Sequence, residues 1–424
     1  MKRLILSATC ALFLAGCGGP PAGPNQNIEQ PVQKSESQLP APTIKVFVEN
    51  SGSMDGYVKG KTDFETAVYS YLNDIQYADL GAKLDSTAVK NKLELYYINS
   101  GVHSFAPDVK EFIDALEPAV FQKRGGNRNT SDMSEIIETI LSQTSENDIS
   151  MFISDCIFSP GKRYKKNDNA DEYLDAQQIE INGHFVEKLK RNPHFAVVVL
   201  RLNSQFNGLF YNKFDESTYI NNNRPFYIWL MGNREQLQRL LKKVETSRIK
   251  GQGVQNVFMI SNSINVNIAP SFILNKRIGE FYIDKTDPLK ITKAKVKNVA
   301  GNKQFQFAVR VNFSDILLAP EYILNPENYI VSNSMYNLDI QHVEKDTYDL
   351  VFKLNQHIIS KGTVKVSLLC NIPEWVKTYT DEDGLDINSS NAMEKTYGLK
   401  YLIEGVYEAF CTQREYVTFT FKIE

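Results

Sequence analysis

Three polar loops carry residues able to hold a cation. The first reads Glu49-Asn50-Ser51-Gly52-Ser53-Met54-Asp55-Gly56 and closes an apolar run, Thr43 to Glu49. The second, Gly125-Gly126-Asn127-Arg128-Asn129-Thr130-Ser131-Asp132, precedes a helical pattern. The third, Ser154-Asp155, ends another apolar run. Carboxylates and hydroxyls give oxygen-only ligands, which suit a hard divalent cation such as Mg²⁺ or Mn²⁺ better than zinc. Ser51 and Ser53 stand two apart in a tight loop, so both hydroxyls can turn toward one point.

The surrounding pattern predicts the elements that must position these loops. Near-continuous apolar runs at Thr43 to Glu49, Leu93 to Asn99, Ile149 to Ser154, Phe195 to Leu202 and Pro225 to Met231 read as strands. Helical spacing appears between them: Phe64, Ala67, Val68, Tyr71, Leu72 and Ile75 behind an Asp63 N-cap, then Asp108 to Leu116, Ser134 to Gln143, and a helix opening at Gly232-Asn233. Such alternation predicts an α/β domain over residues 43 to 246, a doubly wound, mainly parallel sheet covered on both faces. In sheets of this kind ligands sit at the carboxyl ends of the strands, where all three loops emerge. Asn203 to Arg224 is an insertion before the fifth strand, read as either a long hairpin or a surface loop.

After Gln252 the period changes. Phe305 to Asn312, Thr347 to Leu354 and Gly362 to Leu369 alternate apolar and polar residues between turn signals. Residues 252 to 424 therefore read as a β-rich domain, a sandwich or barrel, with the sandwich preferred. A helix is expected within Thr396 to Phe410 and a last strand over Tyr416 to Ile423.

The three loops together resemble the von Willebrand factor A domain and its metal-ion-dependent adhesion site. Ser51, Ser53, Thr130 and Asp155 match that motif in type and order, and the run SGSM from Ser51 to Met54 is characteristic of it. Glu49 stands where the family has Asp, one methylene longer. The resemblance covers residues 43 to 246. It implies Mg²⁺ or Mn²⁺ held by Ser51, Ser53 and Thr130 directly, and by Glu49 and Asp155 directly or through water. It further implies a protein partner whose acidic side chain fills an open coordination position, and a binding or scaffolding role rather than catalysis. An alternative is a metal-assisted hydrolase using a serine at the strand end, and another is a structural protein with a degenerate site.

Other chemistries lack their residues. Gly56 to Thr62 has three residues between its glycines where a phosphate loop has four. No G-x-S-x-G elbow and no HExxH is present, and His103, His184, His194, His342 and His357 are scattered. The acidic stretch Asp381, Glu382, Asp383 and Asp386 fails the spacing of a calcium loop.

The N-terminus sets an expected location. Lys2 and Arg3 precede the apolar run Leu4 to Leu14, and Leu14-Ala15-Gly16-Cys17 resembles the lipobox of bacterial lipoproteins. That resemblance implies removal of residues 1–16 and acylation of Cys17, hence stable membrane anchoring. Residues 17–42 then form a Gly/Pro/Gln/Ser tether. In bacterial lipoproteins an Asp after the lipidated Cys marks inner-membrane retention, so with Gly18 the resemblance implies the outer membrane, and the missing early acidic cluster implies the periplasmic face. In an oxidising compartment Cys370 and Cys411 can form a disulfide; three buried thiols, with Cys156, is the alternative. Of the 424 residues, 42% are hydrophobic and 23% charged, which excludes wholesale disorder; the net charge of -3 gives no basic excess for nucleic acid.

Overall fold

A computed structural model describes residues 40–81, 90–105, 108–129, 132–165, 169–262, 268–389 and 391–424. The expected leader, Cys17, most of the expected tether and Thr130 lie outside the described residues. The described residues form one compact unit.

The first part of this unit runs β1 (Ile44–Glu49), α1 (Asp63–Tyr77), β2 (Leu93–Ile98), β3 (Val102–Ser104), α2 (Val109–Asp114), α3 (Pro118–Phe121), α4 (Met133–Gln143), β4 (Ile149–Ser154), α5 (Ala170–Arg191), β5 (Phe195–Tyr211), β6 (Ser217–Asn233), α6 (Arg234–Lys243) and β7 (Val254–Ser261). Its strands make one seven-stranded sheet in the order β3-β2-β1-β4-β6-β5-β7. β2, β1 and β4 pair in parallel, as their apolar runs predict. β6 enters antiparallel between β4 and β5. A short turn joins β5 to β6, so the two can only run in opposite directions, and the sheet is mixed rather than purely wound. The Asn203 to Arg224 insertion is the outer half of this hairpin, paired from Phe195↔Asn233 to Tyr211↔Ser217.

Helix starts follow local chemistry. The Thr62 hydroxyl, not Asp63, caps α1 by accepting from Glu65 N–H. Asp63 is the first helical residue, and its carboxylate accepts instead from Gln205 and Gln252. Asp108 caps α2, Asp132 caps α4, and Asn233 caps α6. Two apolar cores flank the sheet. One joins Val46 and Val48 to Phe64, Leu72, Phe112 and Leu237. The other joins Phe47 and Phe152 to Ile137, Ile181 and Phe185.

The remaining chain runs β8 (Ser271–Phe272), β9 (Glu280–Ile283), β10 (Lys290–Lys295), β11 (Lys297–Val299), β12 (Asn302–Gln304), β13 (Gln306–Asn312), α7 (Pro320–Leu324), β14 (Tyr329–Val331), β15 (Tyr336–Glu344), β16 (Thr347–Leu354), β17 (Gly362–Leu369), α8 (Glu374–Thr378), β18 (Thr380–Asp381), β19 (Thr396–Tyr397), α9 (Leu399–Phe410) and β20 (Glu415–Ile423). A four-stranded sheet, β15-β16-β13-β8, and a five-stranded sheet, β14-β17-β20-β10-β9, carry most of it. Phe421 of the second sheet packs against Phe307 and Phe352 of the first, at 5.8 and 5.6 Å between ring centroids. Helix α9 lies against α5, where Asn182 donates to Gly405 O at 3.4 Å, so one core continues from the large sheet into the β-rich region. Cys370 and Cys411 are disulfide-bonded, and Cys156 is a buried free thiol. Among the described residues no helix is long and apolar enough to cross a membrane.

Candidate functional site

Side-chain alternation along β1 and β4 decides which groups face each other. Phe47 and Phe152 belong to the same core, so Glu49 and Ser154, two residues further along each strand, turn to that same face. There the Ser154 hydroxyl donates to Glu49 Oε2. Ser154 Oγ in turn accepts the Cys156 N–H at 2.7 Å. Glu49 and Ser154 are wholly buried, and Asp155 is 1% exposed.

Asp155 follows directly on the end of β4. Cys156 takes φ 57°, a left-handed conformation uncommon for a side-chain-bearing residue, and Ile157 N–H donates to Asp155 Oδ1 at 3.3 Å. Asp155 Oδ2 is buried with no hydrogen-bond partner. Burial raises the Asp155 carboxyl to about 7, and the Glu49 charge adds to the effect. The Ser53 hydroxyl, the Ile157 N–H and the Arg224 guanidinium pull the other way without cancelling it.

The serine loop crosses this pair of carboxylates as a single 3₁₀ turn, Gly52–Gly56. Ser51 Oγ and Ser53 Oγ stand 3.0 Å apart. Adjacent ligands of an octahedral Mg²⁺, each at about 2.1 Å, also stand about 3.0 Å apart, whereas Ca²⁺ bonds near 2.4 Å set them at about 3.4 Å. The two hydroxyls are hydrogen-bonded to each other at 3.0 Å, and the same spacing fits neighbouring ligands of a small octahedral cation.

Arg128 locks the loop in place. Its carbonyl accepts Gly52 N–H at 3.0 Å. Its guanidinium donates to Asn50 O at 2.7 Å and Ser51 O at 3.1 Å, and pairs with Asp55. Gly126 supports this approach. It takes φ 74°, and a Cβ there would fall 1.9 Å from Asn99 Oδ1. Asn99 in turn donates to Asn50 Oδ1 at 2.6 Å and Gly125 O at 2.8 Å.

The β5–β6 hairpin roofs part of the loop. Gly208 and Gly56 meet backbone to backbone, since a Cβ on Gly208 would fall 2.7 Å from Gly56 Cα. Phe206 packs edge-on against Tyr57 at 4.9 Å, and the Tyr57 hydroxyl donates to Pro225 O at 2.5 Å. The Tyr211 ring faces Gly52. Arg224, 2% exposed, donates to Ala392 O at 3.2 Å and lies over the Phe210 ring. Lys213 N–H donates to Gly384 O at 2.9 Å, which docks the acidic stretch against the hairpin turn.

Of the residues the sequence singled out, the structure brings together Glu49, Ser51, Ser53 and Asp155. Thr130 belongs to the loop that Arg128 fastens to Ser51 but is itself outside the described residues. Ser154 and Arg128 stand in the loops that the sequence singles out, but their supporting roles, and Arg224, were not foreseen. A polar residue inside the fully buried strand ISMFIS was the available signal for Ser154. Arg128 and Arg224 act through tertiary contacts that no local pattern announces. Among the described residues no group of three or more His, Cys, Asp or Glu side chains could hold a metal. Glu49 and Asp155 supply only two such groups, so a cation here would depend on the hydroxyls. No protein-family model matches the chain, and no match is found among curated proteins.

Proposed function

We propose that this chain is a lipid-anchored protein of the bacterial envelope that acts as a protein-binding or scaffolding module through a divalent-cation site. The site is of the von Willebrand factor A type, with Mg²⁺ or Mn²⁺ held by Glu49, Ser51, Ser53, Thr130 and Asp155. The observation that carries the reading is Asp155 Oδ2, a carboxylate oxygen buried without a hydrogen-bond partner beside a second buried carboxylate. A buried charge without compensation is costly, and a dication supplies compensation that Arg224 only partly gives. The two serine hydroxyls, hydrogen-bonded to each other at 3.0 Å, stand close enough to serve as neighbouring ligands of a small cation.

The anchor is Cys17, and the outer membrane facing the periplasm is the proposed location. The proposed partner is a protein presenting an acidic residue to the cation. Gly52 and Ser53 keep partial exposure, which gives such a residue a way in. Pull-down from envelope extracts tests this. Ser53→Ala or a chelator should abolish capture of the partner; capture unchanged by both would exclude a cation-mediated contact.

The hairpin favours a second reading. With Tyr211 over Gly52 and Phe206 over Gly56, a cation could brace the loops without meeting a partner. Under that reading Ser53→Ala lowers the stability gained from Mg²⁺ and leaves partner capture intact.

A further inference from the structure

Glu49 is one methylene longer than the residue expected at its position, and its carboxylate needs a fixed rest. Ser154 provides one. The Cys156 N–H can only donate, so Ser154 Oγ accepts from it at 2.7 Å and must direct its own hydrogen elsewhere. The available acceptor is Glu49 Oε2. Ser154 thus links the two strands' ends, donating to Glu49 Oε2 while its own oxygen accepts the Cys156 N–H. All three groups are buried, so water offers no alternative partner.

We propose that Ser154 is the positioning residue of the cation site, holding the long Glu49 arm from the neighbouring strand so that its carboxylate meets the ion at the place a shorter aspartate would reach unaided. The inference rests on the cation reading above. Ser154 itself does not touch the ion; it acts through Glu49, as outer-shell partners of metal-binding carboxylates do. The same hydroxyl ties Glu49 to the backbone at Cys156, whose left-handed conformation follows directly on Asp155. One side chain therefore joins Glu49 to the segment that carries Asp155.

The test is Mn²⁺ affinity of the full chain, measured by titration for wild type, Ser154→Ala, Ser154→Thr and Ser150→Ala. Ser150 is the control: it is buried in the same strand and bonds Thr144 Oγ1 at 2.6 Å, away from Glu49. Ser154→Ala should weaken Mn²⁺ binding about ten- to a hundredfold. Ser154→Thr, which keeps the hydroxyl, should stay within about threefold of wild type, and Ser150→Ala should bind as wild type whatever its loss of stability. If Ser154→Ala does not fold, Ser154→Cys carries the test, and its weaker donor should cost several-fold. Wild-type affinity in Ser154→Ala, or an equal loss in Ser150→Ala, overturns the positioning role while leaving the cation site standing. Absence of Mn²⁺ binding by the wild-type chain overturns the cation reading and this inference with it.

Discussion

Glu49 and Asp155 leave adjacent parallel strands with both carboxylates buried, and the charge on Glu49 makes Asp155 harder to ionise. A fold that keeps two such groups side by side sacrifices stability unless something positive joins them. Arg224 contributes, yet Asp155 stays raised.

A stability profile should expose this strain. The Asp155 carboxyl is raised to about 7 in the folded chain, so its contribution to stability is present in full below its ordinary value and is lost as pH rises to about 7. Without divalent cation, Asp155→Asn should therefore be more stable than wild type at about pH 8, by up to about 4 kcal/mol, and the two should converge near pH 4. Urea unfolding in chelator at the two pH values measures the gap. A variant no more stable than wild type at the higher pH would show that Asp155 is fully compensated.

Arg128 should matter to the loop out of proportion to its partial exposure. Its guanidinium serves two carbonyls and the Asp55 carboxylate at once. Arg128→Ala should lower unfolding stability by about 2 kcal/mol and weaken cation binding, because Ser51 and Ser53 lose their fixed spacing. Arg128→Lys should recover little, since an ammonium cannot span the three acceptors. Denaturant midpoints and a Mn²⁺ titration of both variants provide the check.

Gly208 gives a test of the hairpin roof. Alanine suits a strand better than glycine, so local preference alone predicts a gain for Gly208→Ala. The backbone of Gly56 stands in the way of its methyl group. A loss of about 2 kcal/mol is expected, with the hairpin pushed off the serine loop. A more stable variant would place the hairpin elsewhere.

Much of this was legible in the chain. β4 was bounded correctly at both ends, and β1 to within a residue, because buried parallel strands are unbroken apolar runs. Glu49, Ser51, Ser53 and Asp155 were placed by the rule that loops at strand ends converge. The 22-residue α5 was missed: Tyr173, Leu174, Ile181, Phe185 and Leu189 do recur at helical spacing, but charged residues and Asn182-Gly183 dilute the pattern. The outer half of β5–β6 was unreadable for another reason. Asn221, Asn222 and Asn223 are all exposed, so the ladder there is held by backbone pairing rather than alternating burial. Nor does the large sheet end where the period changes. β7 lies past residue 246 and completes its edge, and Trp375 from the β-rich region donates to Val257 O there at 3.2 Å.

The most direct test of the cation site is calorimetric titration of the full chain with Mg²⁺ and Mn²⁺ at about pH 8, beside Asp155→Ala, with a repeat at about pH 6. The account predicts binding at micromolar to millimolar levels, lost in Asp155→Ala, and weaker at the lower pH because protons then compete for Asp155. No heat of binding in the wild-type chain, or equal binding by Asp155→Ala, would contradict it.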